Sequence, residues 1–307
     1  MTEATAVTKD GRISPWDAGL WEDQQVAAWG RVVSFIHGAG SRLGIQLAHA
    51  GRKGSTYPPF HDRRGSVDDA EGGWRTVGPT GAAFGDLAAP RGMDHGDIDG
   101  VVRAFAAAAR RAVAAGFDLV EVHGAHGYLL AEYLSPLVND RSDAYGGSPE
   151  RRAALLLRVV DVVRSALPER MPLLVRLSAT DWAEGHVEDD VERTVQVCRW
   201  LVDAGVDLID VSSGGNLPAP RVPVGPGYQT RFAGTVREAV SVPVSTVGMI
   251  TQPRQAEHVL TSGQADVVML ARAALADPRW WHRAACQLGH ELPWVAPYDR
   301  VQDRHVY

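Results

Sequence analysis

The sequence lacks several features that mark particular classes of protein. Among its 307 residues there are two cysteines, Cys198 and Cys286, which lie far apart in helical patterns. Isolated cysteines of this kind indicate a reducing compartment. No apolar run is long enough to span a bilayer, and no signal-peptide pattern is present. These absences predict a cytoplasmic protein without a membrane partner.

An excess of positive charge is also missing. The 31 basic residues are outnumbered by 37 acidic residues, and the net charge is −6. Neither nucleic acid nor an anionic membrane is therefore expected as a partner. What is present, 45% hydrophobic and 22% charged residues, is typical of a soluble globular protein with a large core. The length suits one α/β barrel or two modest domains.

Apolar, strand-like runs alternate with amphipathic helical patterns along the chain. The predicted strands are Ala4–Val7, Gly44–His49, Leu119–His123, Leu173–Leu177, Leu208–Ser212, Val242–Val247 and Val267–Leu270. The predicted helices are Gln24–Gly38, Ile98–Ala115, Glu150–Ala166, Val187–Ala204, Thr230–Ala239, Gln252–Thr261 and Trp280–Leu288. Repeated βα units favour a (β/α)8 TIM barrel that lacks one unit. A doubly wound open sheet is the weaker alternative, because no Gly-x-Gly-x-x-Gly fingerprint follows the first strand.

The stretch from Asp118 to Arg151 carries the most chemistry. A short apolar strand ends there at His123, and the breaks at Gly124 and Gly127 are accompanied by His126 and Tyr128. Hydrogen-bonding and proton-transferring side chains clustered where a strand stops are typical of a βα active-site loop. The two histidines could instead be purely structural. A metal half-site is disfavoured because no third ligand stands at a suitable spacing, so no metal is predicted.

Two polar residues lie inside otherwise apolar strands. The side chain of Gln46 shares a strand face with Gly44 and Ala48. Its amide can both donate and accept hydrogen bonds there, although a Gln at a strand end is often only a surface residue. Arg176 needs a partner, because an unpaired buried charge is strongly unfavourable. An ion pair with Glu121 or Asp210 is the structural alternative to a role in binding.

The ends of the last two predicted strands form a candidate phosphate site. One strand ends at Gly248, and the next ends at Ala271 and Arg272, with a short helical segment following. Loops after strands seven and eight of such barrels frequently hold phosphate through backbone N–H groups and a helix N-terminus. Arg272 would add a charge-assisted donor.

Residues 51–97 form a long segment with little periodicity and many Gly, Pro and Asp residues. A loop of this length inside a compact domain is usually functional. A disordered insert is the less favoured interpretation, because Trp74, Phe60 and Phe84 can pack. We therefore predict a lid or capping excursion after the third barrel strand.

The stretch HGAHGYLLAEYLSPLVNDRSDAYGGSPERR resembles the signature of the Old Yellow Enzyme flavoprotein family, in particular its bacterial, thermophilic-like ene-reductase branch. The resemblance covers essentially the whole chain, through TEATAV, GIQLAHAGRKGS, VRLSATDW, DVSSGG, VGMI and LARAALADP. It implies a single FMN-binding TIM-barrel domain over residues 1–307, with a C-terminal tail at 289–307. It also implies reduction by NADPH or NADH.

The resemblance implies specific roles for the singled-out residues. His123 and His126 would hydrogen-bond the carbonyl oxygen of an activated alkene such as an enone, enal or maleimide, and Tyr128 would supply a proton. The residues implied in cofactor binding are Ala4, Gln46, Arg176, Gly248, Ala271 and Arg272. Arg300 matches an arginine that reaches the neighbouring subunit's site, which implies a homo-oligomer, a dimer or tetramer.

Compared with the family, the chain starts partway along what would be the second barrel strand. The first strand and first helix have no counterpart, and a misassigned start codon is the favoured explanation over a fragment or a decayed gene. Three functions remain open. They are an ene-reductase, a relative that oxidises amines or reduces nitro compounds, and a non-catalytic remnant.

Overall fold

The computed structural model describes residues 1–298. The strands are β1 (Ala4–Ala6), β2 (Gly44–Ala48), β3 (Val77–Gly78), β4 (Arg91–Gly92), β5 (Leu119–Gly124), β6 (Leu173–Ser178), β7 (Leu208–Ser212), β8 (Val244–Thr246) and β9 (Val267–Val268). The α-helices are α1 (Gln24–Gly38), α2 (His95–Ala115), α3 (Leu129–Leu134), α4 (Pro149–Ala166), α5 (Val187–Asp203), α6 (Thr230–Ala239), α7 (Pro253–Thr261), α8 (Arg272–Ala276) and α9 (Trp280–Gln287). All predicted strands and helices are present. The additional elements β3, β4 and α3 are too short to give a periodic sequence signal, whereas α8 is the short helical segment predicted after the last strand.

Seven strands form one parallel sheet in the order β1-β2-β5-β6-β7-β8-β9. Every neighbouring pair is parallel, and helices connect the strands, as the repeated βα pattern predicts. Within residues 1–298, β1 and β9 pair with no strand on their outer sides, so the sheet is not closed into a ring. All seven strands end at the same edge, which collects the loops that follow them.

The two faces of the sheet differ in chemistry. Side chains alternate along each strand, so one face carries apolar residues such as Ile45, Val122 and Val175, which are fully buried against helices. The other face carries polar residues. The row of register partners His123, Arg176, Asp210 and Ser245 crosses four adjacent strands. A second row pairs Ala4 with Gln46 and Gln46 with Glu121.

Local sequence signals set the helix boundaries around β5. The Asp94 side chain accepts the Asp97 backbone N–H at 2.9 Å, and Asp97 returns the contact in a capping box that starts α2. The helix ends at Gly116, whose φ of 87° lies in the left-handed region that favours glycine. Ser148 accepts the Arg151 N–H and starts α4.

Residues 51–97 have defined structure rather than none. The segment contains the β3–β4 pair, and its Trp74 donates an indole hydrogen bond to the Asp10 carbonyl at 2.8 Å. Trp74 also stacks under the guanidinium of Arg12, and Phe84 packs against the cations of Arg52 and Lys53. The expectation that Phe60 packs is wrong, because its side chain is 89% exposed at a turn.

In the part of the chain that the structure describes, no helix combines the length and the apolar character needed to cross a membrane.

Candidate active site

The loop after β5 is held against the loop after β7 by backbone contact. A Cβ on Gly127 would lie 2.1 Å from the Gly215 carbonyl oxygen, and one on Gly215 would lie 2.0 Å from the His126 carbonyl carbon. His126 itself has a φ of 60°, an uncommon conformation for a residue with a side chain. The Ser178 hydroxyl accepts the His126 N–H at 2.9 Å and fixes this turn.

The two predicted histidines form a directed hydrogen-bond chain. His123 Nδ1 accepts the Ala125 N–H at 3.3 Å, so the neutral ring carries its proton on Nε2. That Nε2 lies 3.3 Å from His126 Nδ1, and His126 Nε2 lies 2.7 Å from Ser212 Oγ. Burial, followed by the neighbouring charges, lowers the pKa of His123 well below its usual value and that of His126 to about 3. Both imidazoles are therefore neutral donors at pH 7.

Tyr128 lies edge-on to His123, with ring centroids 5.2 Å apart. Its hydroxyl has no hydrogen-bond partner among residues 1–298, so it is available to a bound molecule. Burial, with a contribution from Asp17, raises the pKa of Tyr128 to about 12. The phenol therefore keeps its proton across the neutral range and is a potential proton donor.

The structure shows which carboxylate pairs with Arg176, a choice that the sequence leaves open between Glu121 and Asp210. Arg176 Nε lies 3.1 Å from Asp210 Oδ2, at an angle that makes an ion pair rather than a hydrogen bond. Glu121 instead accepts the Gln46 side-chain N–H at 2.6 Å. The terminal nitrogens of Arg176 have no partner among residues 1–298, and its side chain is 20% exposed. Arg176 therefore pairs with Asp210 through Nε, and within the described residues its terminal nitrogens are free to bind a ligand.

Burial perturbs the two carboxyl groups of the polar face, Glu121 and Asp210. Burial, then repulsion from Asp210, raises the pKa of Glu121 to about 7, and burial also raises the pKa of Asp210. Ser245 donates to Asp210 at 2.6 Å. Arg176 opposes both shifts by its charge. Glu121 and Asp210 therefore hold a proton more readily than free carboxyl groups do.

The predicted phosphate residues follow the adjoining strands β8 and β9, which pair through Ser245 and Val267. Gly248 has a φ of 128°, and a Cβ there would lie 2.7 Å from Gln229 Nε2. Ala271 precedes α8, and Arg272 is its first residue. The Arg272 side chain has no partner within the described residues. Arg300, the predicted inter-subunit arginine, lies outside them.

Several residues of this edge were not singled out from the sequence. Lys53 and Ser212 hydrogen-bond His126, and Gln229 donates to the carbonyl of Val247, the residue before Gly248, at 2.8 Å. The consecutive bases Arg52 and Lys53, placed straight after β2, are the one signal that could have indicated Lys53. Hydroxyl and amide residues in loops give no comparable signal.

The fold and the site together define a protein of the (β/α)8-barrel type, with its reactive groups at the carboxyl ends of parallel strands. Within residues 1–298 no three His, Cys, Asp or Glu side chains are arranged to hold a metal ion. The sequence matches the NADH:flavin oxidoreductase / NADH oxidase family over residues 1–291, and the chain belongs to this family.

Individual relatives agree with this assignment. The chain is 44% identical over 302 residues to an NADPH dehydrogenase of Bacillus licheniformis, covering 98% of this chain and 83% of that protein. It is similar to morphinone reductase in complex with tetrahydroNAD, with a TM-score of 0.76, 26% identity and coverage of 97% of this chain and 79% of that one. It is also similar to a 2-naphthoyl-CoA reductase complex, with a TM-score of 0.80, 25% identity and coverage of 94% and 44%.

The predicted barrel type and the Old Yellow Enzyme resemblance are thereby confirmed. The protein is an NAD(P)H-dependent FMN oxidoreductase. The donors at the sheet edge fit this cofactor. FMN carries a phosphate dianion and a ring that becomes anionic on reduction, and the edge offers two guanidinium groups, on Arg176 and Arg272, with nitrogens that are free within residues 1–298.

Proposed function

We propose that the protein reduces activated carbon–carbon double bonds, as in enones, enals and maleimides, at the expense of NADPH or NADH. The observation that carries this proposal is the hydroxyl of Tyr128. This hydroxyl has no partner in the described residues and keeps its proton at neutral pH. The Tyr128 ring packs against His123 at the carboxyl ends of the strands, where barrel enzymes have their active sites.

The residues of the β5 loop have distinct tasks in this reaction. Bound FMN would supply the hydride chemistry of the reaction, with the nicotinamide as reductant. His123 and His126, as neutral donors, hydrogen-bond the substrate's carbonyl oxygen and stabilise the negative charge that develops there. For this the carbonyl must take over both donors, the one that His123 directs to His126 at 3.3 Å and the one that His126 directs to Ser212 at 2.7 Å. Tyr128 then delivers its proton to the α-carbon.

The remaining predicted residues would hold the cofactor. Gln46, oriented by its bond to Glu121, would meet the polar edge of the ring, next to Ala4 on the neighbouring strand. Arg176 would stabilise the reduced, anionic ring. Gly248, Ala271 and Arg272 would bind the phosphate. We further propose that residues 51–97 cover the site. A dimer or tetramer and a cytoplasmic location remain predictions of the sequence.

The test is a spectroscopic titration of the purified 307-residue chain with FMN. A bound flavin band that NADPH bleaches without oxygen, and that 2-cyclohexenone restores, is the expected result. Bleaching by an N-methyl amine instead of NADPH would favour an amine-oxidising relative. A chain that binds no flavin would contradict the enzyme proposal and support a non-catalytic remnant.

A further inference from the structure

Lys53 is a half-buried cation inside the proposed site to which the reaction assigns no task. It lies in the 3-10 turn Gly51–Lys53 that follows β2. Its Nζ donates to the His126 carbonyl at 2.8 Å and to the Gly215 carbonyl at 3.0 Å. One ammonium group thus joins the loop after β5 to the loop after β7, at the close contact that the two glycines permit.

The same ammonium lies against aromatic rings. Nζ is 5.0 Å from the ring centroid of Tyr128 and 4.6 Å from that of Phe84, which comes from the 51–97 segment. An ammonium has three N–H donors. Two are used by the carbonyls of His126 and Gly215, and the third has no hydrogen-bond acceptor among residues 1–298. The positive charge is therefore held against the ring of Tyr128, the proposed proton donor, by contacts that fix its position.

Tyr128 needs such a neighbour. Burial makes its phenol a weaker acid than a phenol in water, because the phenolate left after proton transfer is poorly solvated. A cation within about 6 Å favours the charged form and opposes that effect. Arg52 and Arg176 also carry positive charge in this region, but neither contacts the Tyr128 ring in the described structure. Lys53 does.

On the basis of the proposed ene-reduction, we propose that Lys53 is a positioning residue for Tyr128, which fixes the β5 loop and stabilises the phenolate formed when Tyr128 protonates the substrate. In that step the Tyr128 O–H bond breaks and the proton forms a C–H bond at the α-carbon. The electron pair stays on the phenolic oxygen, and Lys53 keeps its own protons throughout.

This role has a pH dependence. Burial, opposed chiefly by the charge of Glu132, lowers the pKa of Lys53 to about 8. The titratable and charged groups that surround it come from the turn after β2, the β5 loop, α3 and the loop after β6, and they are Arg52, His123, His126, Tyr128, Glu132 and Asp181. Among them Glu132 titrates in the same range, since burial raises its pKa to about 8.

Three variants separate charge from packing. Lys9 and Lys53 are the only lysines in the sequence, and the Lys9 side chain is exposed, so Lys9→Met is the matched control. Lys53→Met removes the charge and keeps the length. Lys53→Arg keeps a charge that does not titrate below pH 12. FMN affinity and the rate of flavin reduction by NADPH establish that each variant is folded and loaded.

The measurement is the rate at which 2-cyclohexenone reoxidises the NADPH-reduced enzyme, followed by stopped flow from pH 6 to pH 10. We expect the wild type and Lys9→Met to lose rate above about pH 8. We expect Lys53→Met to be about tenfold slower at pH 7 without that alkaline loss. Lys53→Arg should be close to the wild type at pH 7 and keep its rate at pH 10.

The outcomes distinguish the two proposals. A wild type that NADPH reduces but no enone reoxidises would overturn the proposed function. A wild type that turns over, slowed by Tyr128→Phe, with Lys53→Met showing the wild-type rate and pH profile, would overturn the role of Lys53 alone. Equal losses in Lys53→Met and Lys53→Arg with unchanged pH profiles would also overturn it, because they indicate a purely structural contact. An alkaline loss that persists in Lys53→Arg would assign the titration to Glu132 and contradict the proposal.

Discussion

The two ends of the proposed site, after β5 and after β8–β9, are built differently. After β5, His123 is 3% exposed, its ring is bonded to His126, and the loop is fixed by Ser178 and Lys53. After β9, Arg272 is exposed and has no partner in the described residues. Groups that carry out a reaction gain from rigid, dry surroundings, whereas a group that binds a phosphate gains from a free charge. The comparison therefore predicts that single substitutions can reduce the rate of the reaction without weakening FMN binding, and the reverse.

The largest effect is expected from Tyr128→Phe. This variant should slow reoxidation of the flavin by an enone about 10²- to 10⁴-fold, because it removes the proton donor and keeps the ring. Flavin reduction by NADPH should be intact, since no proton from Tyr128 is needed there. Stopped-flow measurement of both half-reactions checks this. An equal loss in both would show that the β5 loop serves binding, and the contrast between the two ends would fail.

Arg272→Ala is expected to weaken cofactor binding and to leave the reaction rate unchanged. Losing a charge-assisted hydrogen bond should weaken FMN binding about 10- to 100-fold, while riboflavin, which lacks the phosphate, should bind unchanged. The enone rate of enzyme saturated with FMN should also be unchanged. Fluorescence titration measures both affinities, and Arg170→Ala, an exposed arginine at the far end of the strands, is the control. Equal weakening of riboflavin would contradict a phosphate contact.

The smallest effect concerns stability, at the buried end. Burial raises the pKa of Glu132 to about 8, above the usual value of 4.5 for the free side chain. Between these two pH values the folded protein binds a proton that the unfolded chain does not, so stability contributed by this group falls as pH rises. Glu132→Gln removes that dependence and keeps an acceptor for the Arg52 N–H.

The free energy of unfolding by urea, measured for the variant and the wild type at pH 5 and pH 8.5, checks this. The free energy of unfolding of Glu132→Gln, relative to that of the wild type, should increase by on the order of 1 kcal/mol between the two pH values. The exposed Glu169→Gln supplies the control. A difference that is the same at both pH values would show that Glu132 carries no buried proton.

The sequence predicted the strands because each is a run of apolar residues whose neighbours in the chain form the helices. It predicted β5 and its loop for the same reason, since an apolar run that stops at polar side chains is a local pattern. The short elements β3, β4 and α3 gave no signal, because two to six residues are too few to show a period. Phe60 was misjudged because an aromatic side chain can pack only if the fold brings something to it.

What the sequence determined by itself is local and periodic. It predicted which residues form strands, that these strands are parallel, and that His123, His126 and Tyr128 lie where a strand ends. What only the tertiary structure decided is pairwise contact between distant segments. Arg176 pairs with Asp210 rather than with Glu121, and Lys53 reaches the carbonyl groups of two other loops. Such contacts depend on the register of neighbouring strands and on loop conformations, which are set by the packing of the whole chain.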